Sequence, residues 1–186
     1  MFTFSGSKDP AWRPLRGFTP DQLPRKTRQW LLDEGSLTQR LLQVSGGAFR
    51  VQRLHQRWQF PLPSERRLLG LASRQLALVR EVALLCEERP WVFARSVIPA
   101  PTLTGPLRHL RQLQNQSLGA LIFKNPALGR SPFELSLLPG HSPYIDPSLR
   151  QEGTAWARRS RFEIQGKYLL VSEVFLDAFR PWSTGA

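Results

Sequence analysis

Hydrophobic and polar residues recur along the chain with two periods, and their order predicts helices before strands. Apolar residues at helical spacing favour one helix over residues 19–35 and a second over residues 36–43. Two later segments, 107–116 and 117–123, also fit helical spacing. The second and the last of these four segments each begin with serine, a preferred N-cap, which supports their predicted starts.

Apolar runs with strand character make up most of the remaining chain. Residues 87–89 are polar and join two such runs, which is typical of a hairpin. Helices followed mainly by hairpins predict an α+β fold with an antiparallel sheet. The strand-like runs are 48–60, 75–86, 90–103, 132–138 and the two arms of a C-terminal hairpin that turns at Gln165-Gly166, where glycine suits a positive φ.

The length of 186 residues and the hydrophobic content of 41% predict one domain with a real core, spanning residues 1–186. Prolines and glycines punctuate residues 1–19, so we expect an irregular N-terminal arm there. No uninterrupted apolar segment is long enough to span a bilayer, and the first residues lack a secretory-signal pattern. A single cysteine, Cys86, fits a reducing compartment, so a cytoplasmic location is expected.

The formal net charge of +12 comes from 26 Lys and Arg residues against 14 Asp and Glu residues. A nucleic-acid-binding module would need such an excess of cations to neutralise phosphates. The arginines, however, are scattered in ones and twos, and the densest group is Arg158, Arg159 and Arg161. We therefore interpret most of this charge as solvated surface and expect no nucleic-acid partner.

Common catalytic and metal-binding motifs are absent from the sequence. One cysteine and three separated histidines, His55, His109 and His141, do not provide the spacing of a zinc or iron–sulfur site. There is also no phosphate-binding glycine loop and no G-x-S-x-G nucleophile motif. Cys86 follows two leucines and is expected to be an inert packing residue.

The remaining candidates are charged residues inside apolar strands. Glu173 lies near the middle of YLLVSEVFL, a run that is apolar on both strand faces, and Arg80 occupies a similar position in LALVREVALL. Arg95 in VFARSVIP is a third case. One interpretation is a buried ion pair, or strand ends whose charged heads reach water. The other is an internal pocket whose guanidinium binds a carboxylate and whose carboxylate handles a hydroxyl or a proton.

Several ordered motifs resemble those of the chorismate pyruvate-lyase family. They cover most of the chain, from about Trp30 to Leu176. No single motif is diagnostic, but the ordered set is specific. The motifs are DEGSLTQR, REVALL, PWVFARSVIP, TLTGP, SLGALIF, WARRSRF and GKYLLVSEVFL.

The resemblance implies a six-stranded antiparallel sheet with helical flaps that cover an internal pocket. It implies conversion of chorismate to 4-hydroxybenzoate and pyruvate, the entry step to ubiquinone, by a monomer without cofactor or metal. Arg80 would bind the ring carboxylate, Glu173 would hydrogen-bond the ring hydroxyl, and Leu37 and Leu118 would contribute contacts from the flaps. Leu37 stands where methionine is expected, and the loop over residues 138–153 is longer than the family pattern.

One alternative to this enzyme shares the expected fold. Ligand-binding domains of some transcription regulators share this sheet architecture, so a non-enzymatic sensor of a small aromatic acid would have the same fold.

The role of the arginine cluster is left open between two interpretations. Its members, Arg158, Arg159 and Arg161, either attract an anionic substrate or form a solvent-exposed edge of the last hairpin, called here a wet edge.

Overall fold

The computed structural model describes residues 8–182, which form an α+β fold around one antiparallel sheet. The helices are α1 Arg28–Leu31, α2 Leu37–Val44, α3 Pro63–Leu69 and α4 Leu118–Ile122. The strands are β1 Arg13–Pro14, β2 Phe49–Gln59, β3 Ala77–Cys86, β4 Arg89–Pro99, β5 Gly129–Arg130, β6 Glu134–Pro139, β7 Thr154–Ile164 and β8 Lys167–Phe175.

The sheet has the strand order β1-β6-β7-β8-β4-β3-β2, and β5 also pairs with β7. The expected count of six strands is therefore wrong, because the described residues contain eight. The two additional strands, β1 and β5, have only two residues each and include a proline or a glycine. Such short segments carry no alternation of apolar and polar residues, so the sequence pattern did not reveal them.

Two tight hairpins set the register at the centre of the sheet. Gln165 and Gly166 have φ values of 52° and 73° and join β7 to β8, which confirms the predicted turn. Glu87 and Glu88 have φ values of 51° and 62° and join β3 to β4. Positive φ at both central residues matches the twist of the flanking strands. The loop consists of these two residues and is shorter than the expected segment 87–89, because Arg89 already belongs to β4.

The helices agree only in part with the helical periodicity. Ser36 and Ser117 cap α2 and α4 as predicted, because their hydroxyls accept hydrogen bonds from the Gln39 and Ala120 backbone N–H groups. The helix predicted over residues 19–35 is wrong: this segment holds a 3₁₀ turn, Pro20–Gln22, followed by the short α1. Pro24, between the two, cannot donate a backbone hydrogen bond in a helix interior.

Each face of the sheet supports a separate part of the core. On one face, α2, α4 and a 3₁₀ segment, Gly105–Gln112, pack against apolar residues of β3, β4, β7 and β8. On the other face, α3 and the loop that follows β6 cover the same strands. The central strands β4 and β8 are thus covered on both sides, as their apolar runs predict. None of the helices in residues 8–182 is long and apolar enough to cross a membrane.

Candidate active site

A cavity lies on the face of the sheet that carries α2 and α4. Its floor is formed by β3, β4, β7 and β8, and the first turns of α2 and α4 lie at its edge. Apolar side chains such as Val82 and Phe162 make up much of the wall. The charged side chains that line it are Arg80, Arg130, Arg158 and Glu173.

The structure brings all four predicted site residues together around this cavity. Arg80 projects from β3 and Glu173 from β8, while Leu37 and Leu118 are the first residues of α2 and α4. These positions are far apart in sequence, and antiparallel pairing of β3, β4 and β8 places the two charged residues on one face. A single ligand in the cavity can therefore reach residues from all four elements.

Arg80 is a buried cation that has no carboxylate partner within residues 8–182. Its side chain is 2% exposed, and its Nη2 atom donates to the carbonyl oxygens of Gln114 and Gln116 at 3.0 and 2.8 Å. Its Nε atom has no hydrogen-bond partner among the described residues. Burial, together with the neighbouring charge of Arg53, lowers the pKa of Arg80 to about 10. The guanidinium is still protonated at neutral pH and is well placed to bind an anion.

The charge partner of Glu173 is Arg158. Nε of Arg158 donates to Oε2 of Glu173 at 2.6 Å, and the two residues face each other directly in the β7–β8 register. Glu173 therefore forms its ion pair with Arg158 and not with Arg80. Oε1 of Glu173 makes no hydrogen bond within the described residues, and the residue lines the cavity.

Arg158 is held rigidly by backbone oxygens. Its Nη1 atom donates to the carbonyl oxygens of Trp30 and Asp33 at 2.6 and 2.8 Å, and the residue is 1% exposed. Arg159, on the opposite face of β7, is also buried, and its Nε atom donates to Glu134 at 2.7 Å. The interpretation of this arginine cluster as a wet hairpin edge is wrong for both residues. Arg158 instead fixes the orientation of the Glu173 carboxylate through the hydrogen bond to Oε2.

Arg130 is a site residue that the sequence analysis missed. It belongs to β5, its Nε atom donates to the Ser160 hydroxyl at 3.0 Å, and its Nη1 atom donates to the Glu34 carbonyl oxygen at 2.9 Å. The guanidinium carbon lies 4.1 Å and 4.9 Å from the ring centres of Phe133 and Phe162. Burial lowers the pKa of Arg130 to about 10, although the nearby Glu173 carboxylate opposes this change. The residue lies in a segment without periodicity, so the pattern gave no signal for it.

Helices α2 and α4 are joined at the edge of the cavity by a pair of hydroxyls. Thr38 Oγ1 and Ser117 Oγ lie 2.6 Å apart, and Ser117 also caps α4. Gly119 allows this approach, because a Cβ atom there would lie 3.3 Å from Thr38 Oγ1. The contact links two elements that are 79 residues apart in sequence.

Arg95 lies on the face of the sheet opposite to the cavity and forms a buried ion cluster. Its guanidinium donates to Glu65 at 2.7 and 3.1 Å and to Glu81 at 2.5 Å. Arg95 therefore fits the interpretation of a buried ion pair, as Glu173 does with Arg158, whereas Arg80 has no carboxylate partner among the described residues. The 138–153 loop packs on this face too, where Tyr144 contacts Phe93.

The other candidate ligands of the sequence are not assembled into a site. Cys86 is buried in the core beside α2, and burial raises the pKa of its thiol to about 11, which fits an inert packing residue. Among residues 8–182, no three His, Cys, Asp or Glu side chains are grouped so as to hold a metal ion.

Comparison with known protein families gives a match over nearly the whole chain. The family model described as chorismate lyase matches residues 12–184. A probable chorismate pyruvate-lyase from Nitrosomonas europaea is 38% identical over 174 residues, which cover 91% of this chain and 95% of the relative. Probable chorismate pyruvate-lyase 2 from Pseudomonas entomophila is 42% identical, with 90% and 89% of the two chains covered.

Solved structures with a similar fold are effector domains of transcription regulators. The effector domain of PhnF from Mycobacterium smegmatis has a TM-score of 0.56 at 14% identity and covers 78% of this chain and 91% of its own. The ligand-binding domain of a putative GntR-family regulator from Bordetella bronchiseptica has a TM-score of 0.54 at 17% identity, covering 70% and 83%. At this identity the likeness concerns the fold alone.

Proposed function

The chain belongs to the chorismate lyase family of enzymes, and on that premise we propose that it converts chorismate to 4-hydroxybenzoate and pyruvate. The observation that carries this proposal is the cavity, which presents on β3 a buried guanidinium with no ion-pair partner in the described part of the chain, and on β8 an oriented carboxylate. A para-substituted aromatic acid has a carboxylate at one end and a hydroxyl at the other. Arg80 and Glu173 match these two groups in charge and in hydrogen-bonding capacity.

Four residues hold the substrate in this proposal. Arg80 binds the ring carboxylate, and Oε1 of Glu173 accepts a hydrogen bond from the ring hydroxyl. Leu37 and Leu118 begin α2 and α4, where backbone N–H groups have no partner within the helix and can donate to the ligand. The two helices act as flaps, which open to admit chorismate and close over it.

The reaction needs no redox partner. The ether bond between the ring and the enolpyruvyl group breaks, and the proton on the hydroxyl-bearing ring carbon leaves. The ring becomes aromatic, and enolpyruvate takes up a proton at its methylene carbon to give pyruvate. Aromatisation supplies the driving force, so the protein has to position the substrate, balance charge and move a proton. We therefore propose that catalysis requires neither metal nor cofactor.

We further propose that this reaction supplies 4-hydroxybenzoate for ubiquinone synthesis, and that the protein works as a monomer in the cytoplasm. A non-enzymatic sensor is less favoured, because the similar effector domains share only the fold.

Turnover is tested with purified full-length protein, chorismate and a chelator, and with no added cofactor. We expect 4-hydroxybenzoate and pyruvate to form in equal amounts. Folded protein that binds 4-hydroxybenzoate but does not consume chorismate would contradict the lyase proposal and support the sensor. We propose that Glu173 also acts in the transition state, so in the active enzyme Glu173→Gln should lower kcat by about 10²- to 10⁴-fold, the range of a lost acid–base group. The amide oxygen of Gln can still accept from Arg158, so folding is retained. Arg80→Ala should abolish binding of 4-hydroxybenzoate.

A further inference from the structure

The cavity holds more cationic charge than the aromatic product can use. Three arginines and one glutamate line it, which leaves an excess of two positive charges. Arg158 is already committed, because it binds Glu173 and two backbone carbonyl oxygens. Arg80 and Arg130 donate only to neutral oxygens. Two cations that form no ion pair with any described residue therefore face one cavity.

The register of the sheet places these two cations on opposite sides of the cavity. Arg80 on β3 pairs with Ser96 on β4, Ser96 pairs with Val171 on β8, and Val171 pairs with Ser160 on β7. Ser160 is the residue whose hydroxyl accepts from Arg130. The backbone positions of Arg80 and Ser160 are thus three strand spacings apart, about 14 Å. Because Arg130 donates to Ser160, its guanidinium lies at the β7 end of this row.

Glu173 lies between the two cations along the same surface. On β8 it is two residues from Val171, which belongs to the row that joins Arg80 to Ser160. Two residues along a strand correspond to about 7 Å between the backbone positions of Val171 and Glu173. A ring whose carboxylate is on Arg80 and whose hydroxyl is on Glu173 therefore points its far end towards β7. Any substituent beside the hydroxyl continues in the direction of Arg130.

We propose that Arg130 binds the carboxylate of the enolpyruvyl side chain, and so selects a dicarboxylate substrate over a simple aromatic acid. This inference rests on the proposed lyase function. Chorismate carries two carboxylates, and its ether oxygen is attached next to the hydroxyl-bearing ring carbon. The two free cations then match the two anionic groups of the substrate. The aromatic product has only one carboxylate, so Arg130 loses its ligand when pyruvate leaves.

Binding of the enolpyruvyl carboxylate by Arg130 would also assist the elimination. The departing enolpyruvate remains an anion, and a guanidinium at its carboxylate holds the ether bond at a fixed orientation beside Glu173. Phe133 and Phe162 pack against the Arg130 guanidinium and limit its motion. Arg130 is thus a substrate-binding residue that would also position the breaking bond.

Two ligands and two variants test this assignment. The ligands are 4-hydroxybenzoate, with one carboxylate, and 3-(carboxymethoxy)-4-hydroxybenzoate, a stable ether with a second carboxylate at the expected place. Calorimetry with Arg130→Met should show affinity for the dicarboxylate reduced by about 10- to 100-fold, the range of a lost charge-assisted hydrogen bond. Affinity for 4-hydroxybenzoate should change by less than about threefold. Steady-state kinetics should show a matching rise in the KM for chorismate.

The controls separate this inference from the proposed function. Arg80→Met should weaken both ligands, and Arg130→Lys should recover part of the dicarboxylate affinity because the charge is restored. Equal losses for the two ligands in Arg130→Met, or no loss for either, would overturn the assignment. If Arg130→Met does not fold, Arg130→Lys replaces it as the test. Weaker binding of the dicarboxylate alone would support the assignment, and unchanged binding of both ligands would overturn it. A wild-type protein that binds the dicarboxylate through Arg130 without turning over chorismate would refute the lyase proposal and leave this assignment intact.

Discussion

At the scale of single residues, the cavity is defined by how each charged side chain is compensated. Glu173 is compensated by Arg158, whose own donors are fixed by carbonyl oxygens. Arg80 is buried, and its hydrogen-bond partners within the described residues are two carbonyl oxygens that carry no full charge. Burying a cation without an anion is unfavourable, and the lowered pKa of Arg80 expresses this. A carboxylate ligand restores the missing partner.

The lowered pKa of Arg80 predicts how ligand affinity depends on pH. Benzoate, which has no phenol to titrate, should bind with constant affinity from pH 7 to 9. Its affinity should fall above pH 10 by about tenfold per pH unit, because binding then requires Arg80, whose pKa is about 10, to take up a proton. Calorimetry from pH 7 to 11, with circular dichroism to monitor folding, measures this.

Variants of the two free arginines serve as controls for the pH profile. Burial also lowers the pKa of Arg130 to about 10, so the profile alone does not identify the titrating group. Arg130→Met should retain the fall in affinity, whereas Arg80→Met should remove benzoate binding altogether. Affinity that stays constant up to pH 11 in folded protein would show that benzoate does not depend on Arg80.

The sequence pattern selected Glu173, which lines the cavity, but it did not identify its partner Arg158, although the information was present. The turn at Gln165-Gly166 fixes the register of β7 and β8, which begins with Ile164 opposite Lys167. Counting equally along both strands from this pair places Arg158 directly opposite Glu173. Arg130 could not be found in this way. It belongs to a two-residue strand whose pairing depends on tertiary packing rather than on local periodicity.

At the scale of elements, α2 and α4 form the edge of the cavity and touch each other through side chains. Both helices are short, with eight and five residues, so packing and capping rather than helix propensity hold them in place. Their serine caps were predictable because they follow a local rule. The hydroxyl pair of Thr38 and Ser117 was not, because it joins segments that only the tertiary fold brings together.

Thr38→Val tests whether these helices act as flaps. The change removes the 2.6 Å contact with Ser117 at nearly constant volume and leaves the Ser117 cap in place. A hydrogen bond of this kind contributes about 0.5–1.5 kcal/mol net, so flap opening should become about 2- to 10-fold easier. Stopped-flow measurements should show the association and dissociation rates of 4-hydroxybenzoate rising together, with little change in Kd.

The pair of rate constants distinguishes a flap from an ordinary ligand contact. If Thr38 merely touches the ligand, Thr38→Val should raise the dissociation rate alone. Unchanged rates would mean that the hydroxyl pair does not restrict entry. Thr104→Val is a matched control, because it removes a threonine hydroxyl that bonds Lys167 on the surface and does not line the cavity.

At the scale of the whole molecule, the two faces of one sheet use buried arginines in different ways. Within residues 8–182, the face with α2 and α4 carries Arg80 and Arg130 without ion-pair partners, and the opposite face carries Arg95 with two carboxylates. Alternation along the strands produces this division, since Arg95 lies between the cavity residues Ala94 and Ser96. Part of the arginine excess is thus internal, which weakens the argument from net charge to a nucleic-acid partner. Composition alone does not reveal it, because counts carry no information on burial.

The Arg95 cluster attaches α3 to the sheet, and we predict that it contributes mainly to stability. Arg95→Met leaves the buried Glu65 and the partly buried Glu81 without a cation, so the free energy of unfolding should fall by about 3–5 kcal/mol in denaturant titrations. Adding Glu65→Gln should recover part of this loss, because the amide removes one buried charge and can still accept from the Leu62 N–H group. Arg50→Met, which breaks an exposed ion pair with Glu88, should have little effect. If Arg95→Met is as stable as Arg50→Met, the cluster does not hold α3 on the sheet, and the apolar contacts of Leu69 suffice.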